Sequence, residues 1–482
     1  MLPVRTAFRK KAIDKSAGED KDGKQGLKRA MGALDLTALG VGAIIGTGIF
    51  VLTGVAAAKY AGPAVIISFV LSGIAAALAA LCYAELASMV PVAGSAYAYA
   101  YASMGEIIAW LIGWNLILEY LVAAGAVAVG WSSYFSDMLR SVGVVLPAAF
   151  TASVSEGGII NIPAVLIALL VTWIVIRGTR ESAGATKIIV AVKLLVVALF
   201  IALGVCRINT ANWVPFTPFG VSGIVQGAAI VFFAYIGFDA VATAAEEVRN
   251  PKRDLPRGII SSLLISTLLY IAVSVVLTGM LNYTQLNTSS PIAAALLSAG
   301  IRWASALVSV GALAGLTSVL IAVLFAQSRV FFAMSRDRLL PPVFSRIHKK
   351  YKTPYLDTLI IGLAVSLIGA FLPVGLIAEM ANIGTLSALA VVAVGVIILR
   401  RTQPDLERPF RVPWAPFLPA LSALLSVYLM LNLPVTTWIR FAVWIALGLV
   451  IYYFYSYRHS ALASPEKKGG RVVSMEIQGK GK

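Results

Sequence analysis

Apolar stretches long enough to cross a bilayer recur from about residue 34 to about residue 457 of this 482-residue chain. Each approaches the roughly 20 residues that a helix needs to traverse about 30 Å of hydrocarbon. This recurrence confines the fold to helices, because a backbone inside lipid must satisfy its own hydrogen bonds. With 59% hydrophobic residues, 13% charged and a mean hydropathy of +0.88, most of the chain has lipid as its solvent. The expected architecture is an all-α polytopic membrane protein with twelve transmembrane helices, at about 34–59, 63–90, 106–137, 160–177, 184–206, 221–246, 258–281, 303–334, 355–373, 376–400, 412–433 and 438–457. The long third and eighth spans imply tilt or extension beyond the hydrocarbon.

The formal charge of +17 does not indicate nucleic acid, because Lys and Arg are scattered between apolar spans and form no basic face with stacking aromatics. It follows topology instead. If the N-terminus is cytoplasmic, the inner segments hold Arg177 and Arg180, then Arg249, Lys252, Arg253 and Arg257, then Arg336, Arg338, Arg346, Lys349, Lys350 and Lys352, then Arg400, Arg401, Arg408 and Arg411. The outer segments hold Arg140, Arg207, Arg302 and Arg440. The positive-inside rule therefore puts both termini in the cytoplasm of a multi-pass cell-membrane protein. Residues 1–33 form a polar tail without a cleavable signal pattern, and 458–482 form the second tail. Cys82, Cys206, His348 and His459 compose neither a disulfide framework nor a metal site, and no cofactor is implied.

Two spans carry internal abnormalities. The first contains GVGAIIGTGIF, with Gly40, Gly42, Gly46 and Gly48 where each glycine costs about 0.8–1.0 kcal/mol relative to alanine in a helix. Close packing alone would account for Gly42 and Gly46. Four glycines on several faces favour an unwound segment, and the spacing is not that of a dinucleotide loop. The sixth span contains FFAYIGFDAV, interrupted at Gly237 and Asp239. Spans one to five (34–206) and six to ten (207–400) then compare as two units entering the membrane in opposite directions, with the abnormality in the first span of each, followed by two further spans in 401–457. Half-helix N-termini at such breaks offer N–H groups to a carboxylate, and half-helix C-termini offer carbonyls to an ammonium. This chemistry suits the group common to all α-amino acids.

The motifs GVGAIIGTGIFVLTG, CYAELASMVPVAGSAYAYAY, FFAYIGFDAVATAAEEVRNPKRDLPRGI and SRDRLLPPVF resemble signatures of the amino acid–polyamine–organocation superfamily. More narrowly, they resemble bacterial members of its cationic amino acid transporter family. The likeness runs in order from about Leu34 to His459. It implies a leucine-transporter-like fold of 5+5 inverted repeats with broken helices 1 and 6. It also implies secondary active transport, with an L-amino acid and protons as partners, the lipid bilayer around them, and no nucleic acid. The matching substrate-binding positions are Ile44, Ile45, Thr47 and Gly48 in span one and Phe233, Ala234 and Ile236 in span six. By the same resemblance Val323 lies near the far end of the pocket, although a valine on an apolar helix is ordinarily core. Glu246 and Glu247 match a run at the cytoplasmic end of span six, where a solvated helix terminus and an inner gate are both admissible.

Glu119, Lys193 and Asp239 are ionisable groups within spans, where charges are costly and face a cavity or a partner. Glu85 lies nearer the inner surface, within reach of water. Glu119 is open to two readings, a structural hydrogen bond to a neighbouring helix or a pocket carboxylate for a cationic side chain. Asn115 stands where bacterial relatives often have Asp, which removes a possible negative charge near it. Lys193 is about ten residues, roughly 15 Å, from either end of span five, too deep to snorkel easily. It could form an ion pair with Glu119 or Asp239, or cap span-one carbonyls. The resemblance places it beside the first unwound segment, where an ammonium that loses and regains its proton would couple transport to protons.

No nucleophile with a base, metal cluster or phosphate loop suggests an enzyme. A channel would show filter sequences or rings of like charge rather than paired broken helices. Proton-coupled symport of amino acids such as alanine or cationic ones is the expected function. An amino acid exchanger and a non-transporting sensor of the same fold remain alternatives.

Overall fold

The computed structural model describes Arg9 and residues 31–90, 95–141, 143–178, 183–245, 248–348, 350, 351 and 353–463. Glu246, Glu247, Arg180, Lys349, Lys352 and most of both tails lie outside the described residues. Among the described residues there is no β-strand, only isolated bridges at Met31–Val248 and Ile347–Pro354.

The principal helices are α1 (Ala33–Ile44), α2 (Val65–Met89), α3 (Ser95–Ser103), α4 (Glu106–Ser141), α5 (Ile162–Arg177), α6 (Ala183–Val205), α7 (Gly220–Val231), α8 (Pro251–Met280), α9 (Pro291–Ser298), α10 (Arg302–Arg336), α11 (Tyr355–Phe371), α12 (Val374–Thr402), α13 (Phe417–Leu431) and α14 (Val435–Ile451). Among the described residues, eight helical stretches are long and apolar enough to cross a membrane, and α1, α5, α11 and α13 are shorter apolar helices. Span one is not a single helix. After α1 the chain leaves helical geometry at Ile45 and resumes as a helical segment over 48–61.

Several boundaries depart from the hydrophobic runs because side chains set them. α8 begins at Pro251, seven residues before the expected 258, since proline is well suited to a first helical turn. Its charged residues Lys252, Arg253, Asp254 and Arg257 therefore lie on helix rather than loop. Asn161 caps α5 by accepting from the Ala164 amide at 3.2 Å. α3 and α9 were not expected from span-length reasoning, because nine and eight residues are too short to register.

Burial separates the central helices from the rim. The apolar windows of α4 and of 220–242 are 78% buried within the protein, against 17% for 435–459. α4, 36 residues or about 54 Å long, packs against α10 and α12, while α2 and α1 pack against α8. The two broken segments thus lie within the central packing. Serines join the pieces: Ser68 donates to Ile224 O at 2.8 Å and Ser72 to Ala228 O at 2.7 Å, binding α2 to α7.

Candidate functional site

The first break comprises Ile45 and Gly46, and Thr47, already in right-handed helical geometry, leads into the next helical segment. Ile45 is extended, with φ −77° and ψ 96°. Only Gly46 of the four glycines falls within it; Gly40 and Gly42 are inside α1, and Gly48 opens the next helical segment. Each is also packed. A Cβ on Gly40 would overlap Ser262, one on Gly42 would lie 3.1 Å from Val190 Cγ2, and one on Gly46 3.1 Å from Val319 Cγ2. The glycine run therefore serves close packing along its whole length and unwinding at one point.

The second break spans Phe232 to Asp239. α7 ends at Val231, a 3-10 turn covers Phe232–Tyr235, and Ile236 is extended. Gly237 has φ +115°, a left-handed conformation that disfavours any side chain, and a Cβ there would lie 3.0 Å from the Ala43 carbonyl carbon. A Cβ on Gly48 would overlap Cα and Cβ of Ala234, so the two breaks touch backbone to backbone.

The carbonyls released by the breaks have identifiable donors. Lys193 Nζ donates to Gly42 O at 2.7 Å and Ile45 O at 3.0 Å. Among the described residues neither Glu119 nor Asp239 forms an ion pair with it, so of the partners considered from sequence the carbonyls are the ones present. The Tyr270 hydroxyl reaches Ile44 O at 2.8 Å and Ala234 O at 2.7 Å. Asn382 Nδ2 donates to Ala229 O and Ile230 O, closing the C-terminal end of α7. The amides of Gly46, Thr47 and Gly48 stand at the N-terminal end of the second half-helix, where no preceding turn supplies acceptors.

Ile44, Ile45, Thr47, Gly48, Phe233, Ala234 and Ile236 are all buried, and the structure brings them to one place. Thr47 Oγ1 also reaches Ala126 O on α4 at 3.4 Å. Asp239 accepts from the Tyr120 hydroxyl, which sets it near Glu119, and the two carboxylates interact electrostatically. Glu119 Oε1, Asn115 Oδ1 and Gln327 Oε1 are buried acceptors with no hydrogen-bond partner among the described residues. Asn115 Nδ2 donates to Ser387 at 3.0 Å, and Gln327 Nε2 donates to Ile117 O at 3.2 Å, which brings α10 against this level of α4. Val323 is buried one turn from both Gln327 and Val319, the residue facing Gly46.

Sequence reasoning passed over Tyr270, Tyr120 and Asn382. Their only signal was a polar atom inside an apolar span. It also passed over Arg329 and Glu379, ionisable residues in spans eight and ten. Arg329 lies over the Phe325 ring at 3.3 Å, and Glu379 accepts from Thr437 at 2.7 Å. Glu85, expected near water, is 1% exposed and held by Arg400 through contacts of 3.0 and 2.6 Å.

Comparison with known proteins shows the family. Residues 31–454 match the profile of the family described as amino acid permease. The chain is 47% identical to the methylthioribose transporter of Bacillus subtilis (strain 168), over 94% of this chain and 99% of that one. It is 48% identical to the branched-chain amino acid permease BcaP of the same organism, over 95% and 99%. It is 40% identical to the vacuolar cationic amino acid transporter 4 of Arabidopsis thaliana, over 83% of this chain and 68% of the relative. These relatives are transporters and not enzymes. A helical protein with apolar spans, matched over nearly its whole length, this chain belongs to the amino acid permease family of the amino acid–polyamine–organocation superfamily.

Proposed function

We propose that the protein is a proton-coupled symporter of L-amino acids that works by alternating access in the cell membrane, with both termini cytoplasmic. In this reading twelve transmembrane helices comprise two inverted units, 34–206 and 207–400, followed by 401–457. The tails are 1–33 and 458–482. Support for the count comes from eight spanning stretches accompanied by four shorter apolar helices. The substrate's carboxylate meets the half-helix N-terminus at Thr47 and Gly48, with Ile44 and Ile45 alongside. Its ammonium meets carbonyls of the second break around Phe233, Ala234 and Ile236. Val323 limits side-chain length, and Glu119 faces the side chain.

The observation that carries this reading is the pair of contacts from Lys193 to Gly42 O and Ile45 O. A cationic side chain whose hydrogen-bond partners among the described residues are neutral carbonyls, one in the last turn of α1 and one in the break, can give up its proton without leaving a partner carboxylate unpaired. Its loss would remove the charge that strengthens both hydrogen bonds, loosening the hold on those carbonyls and letting the first break rearrange as the site turns from outer to inner water. The relatives include a branched-chain amino acid permease and a cationic amino acid transporter, so alanine, leucine and arginine form the first substrate panel.

Proteoliposomes carrying an imposed pH gradient test the proposal. Uptake of at least one amino acid is expected to follow the gradient in the native protein and to lose that dependence in Lys193→Met. Gradient-independent native uptake, or Lys193→Met that is driven equally well, overturns proton coupling. A requirement for internal amino acid would instead identify an exchanger, and binding without flux a sensor.

A further inference from the structure

Glu106 is a fully buried carboxylate that receives hydroxyl donors from α3, five residues before it, and from two points of one stretch near the end of the described chain. It opens α4, where the helix dipole favours an anion. Tyr101 of α3 donates to Oε2 at 3.0 Å, Tyr452 beyond α14 donates to Oε1 at 3.2 Å, and Ser460 in the turn after the last helix donates to Oε2 at 2.5 Å. The helical stretch 452–459 that leads into this turn, and the turn itself, are each fastened once more. Ser456 Oγ donates to Leu339 O at 2.7 Å, and the Ala461 amide to Asp337 O at 3.1 Å. Asp337 in turn accepts from Tyr97 of α3 at 2.8 Å. The end of the described chain is thus tied to α3, to the start of α4 and to the residues following α10.

α3 is the short helix between α2 and α4, and it packs against Ala240–Thr243, the continuation of the second broken helix. Its first turn is held through Tyr83, whose hydroxyl accepts from the Ala96 amide at 2.9 Å and bonds Ser95. The Tyr83 ring stands edge-on to Phe238 at 5.8 Å, directly after Gly237. A continuous path of contacts therefore runs from Ser460 through Glu106, Tyr101, α3 and Tyr83 to the second break.

We propose that residues 452–461 are a strap that clamps α3 beneath the second broken helix and thereby controls how readily this end of the site opens. The clamp is built from neutral donors on a buried anion, so removing one donor loosens it without leaving an unpaired cation. No residue of the strap belongs to the substrate-facing set. Its effect falls on the opening step and not on substrate affinity.

Hydrogen exchange of the full-length protein in lipid nanodiscs, combined with transport kinetics, tests the strap. Ser460→Ala and Tyr452→Phe are each expected to accelerate amide exchange in 95–105 by about threefold or more while 281–300 stays at the native rate. The maximal uptake rate should change by at least about twofold with half-saturation unchanged, the signature of an altered conformational step. Native exchange in 95–105 for both variants overturns the strap. So does acceleration spread equally over 95–105 and 281–300, which marks general loosening. The exchange readout is independent of substrate and of proton coupling, so failure of the transport mechanism proposed above would leave it decisive.

Discussion

The Tyr270 hydroxyl lies within hydrogen-bonding distance of both Ile44 O and Ala234 O, so one side chain of α8 spans the two breaks. A hydroxyl has one hydrogen to share between two buried acceptors, and its ring packs against Tyr235 at 5.4 Å and Phe69 at 5.5 Å. Tyr270→Phe keeps that packing and removes the donor. Leaving a buried carbonyl unpaired costs about 1–3 kcal/mol. The variant is expected to insert, to melt below the native protein in detergent, and to take up amino acid more slowly. Native melting and native uptake together would mean that the bridge contributes nothing.

Gly48 and Ala234 touch so closely that the smallest side chain suffices to separate the breaks. Gly48→Ala and Gly48→Leu should both lower uptake at least about tenfold at normal expression, since overpacking a close contact costs about 1–3 kcal/mol. Gly375→Ala is the control, because nothing lies within 4 Å of a Cβ there. Normal transport by Gly48→Leu would remove the site from this contact.

Val323 governs side-chain length if the pocket extends along α10 past Val319. Val323→Ser should then raise the competitiveness of arginine relative to alanine, and Val323→Trp should exclude all but the smallest amino acids. Competition uptake with both variants measures the ranking. An unchanged ranking in both would make Val323 a packing residue.

Arg400 holds the buried Glu85 carboxylate, whose Oε2 also accepts from the Val412 amide at 2.7 Å. Arg400→Ala removes the two short contacts and leaves the buried carboxylate with Arg408 Nε at 3.7 Å and the Val412 amide, so it should lower the melting temperature clearly. Lys252 and Glu407 form a comparable bond at 3.0 Å in open solvent, so Lys252→Ala should leave melting unchanged. Equal effects from the two substitutions would show that burial of Glu85 does not decide the strength of its pair.

The membrane class, the location of most spans and the two interruptions were legible because hydrophobic length and helix tolerance are properties of neighbouring residues. Gly237 illustrates this well, since a left-handed backbone position calls for glycine wherever the rest of the fold lies. The glycine run of span one was harder to read, because packing glycines and a break-point glycine look alike in sequence. Gly40 and Gly42 proved helical, and only their neighbours Ser262 and Val190 show why they are small.

Depth alone singled out Lys193, but its carbonyl partners, one of them 151 residues away, could not be chosen from depth. Tyr270 looked like any interior aromatic until the fold set it beside Ile44, 226 residues earlier. The short helix α3 had too few residues to be recognised, and Glu106 had no apparent partner until Ser460 arrived from the far end of the chain. Local composition decides which segments enter lipid, because each apolar residue contributes to that transfer separately. The donor that satisfies a particular freed carbonyl or buried carboxylate is decided by packing among helices, because a hydrogen bond needs its atoms within about 3 Å and the sequence carries no such distance.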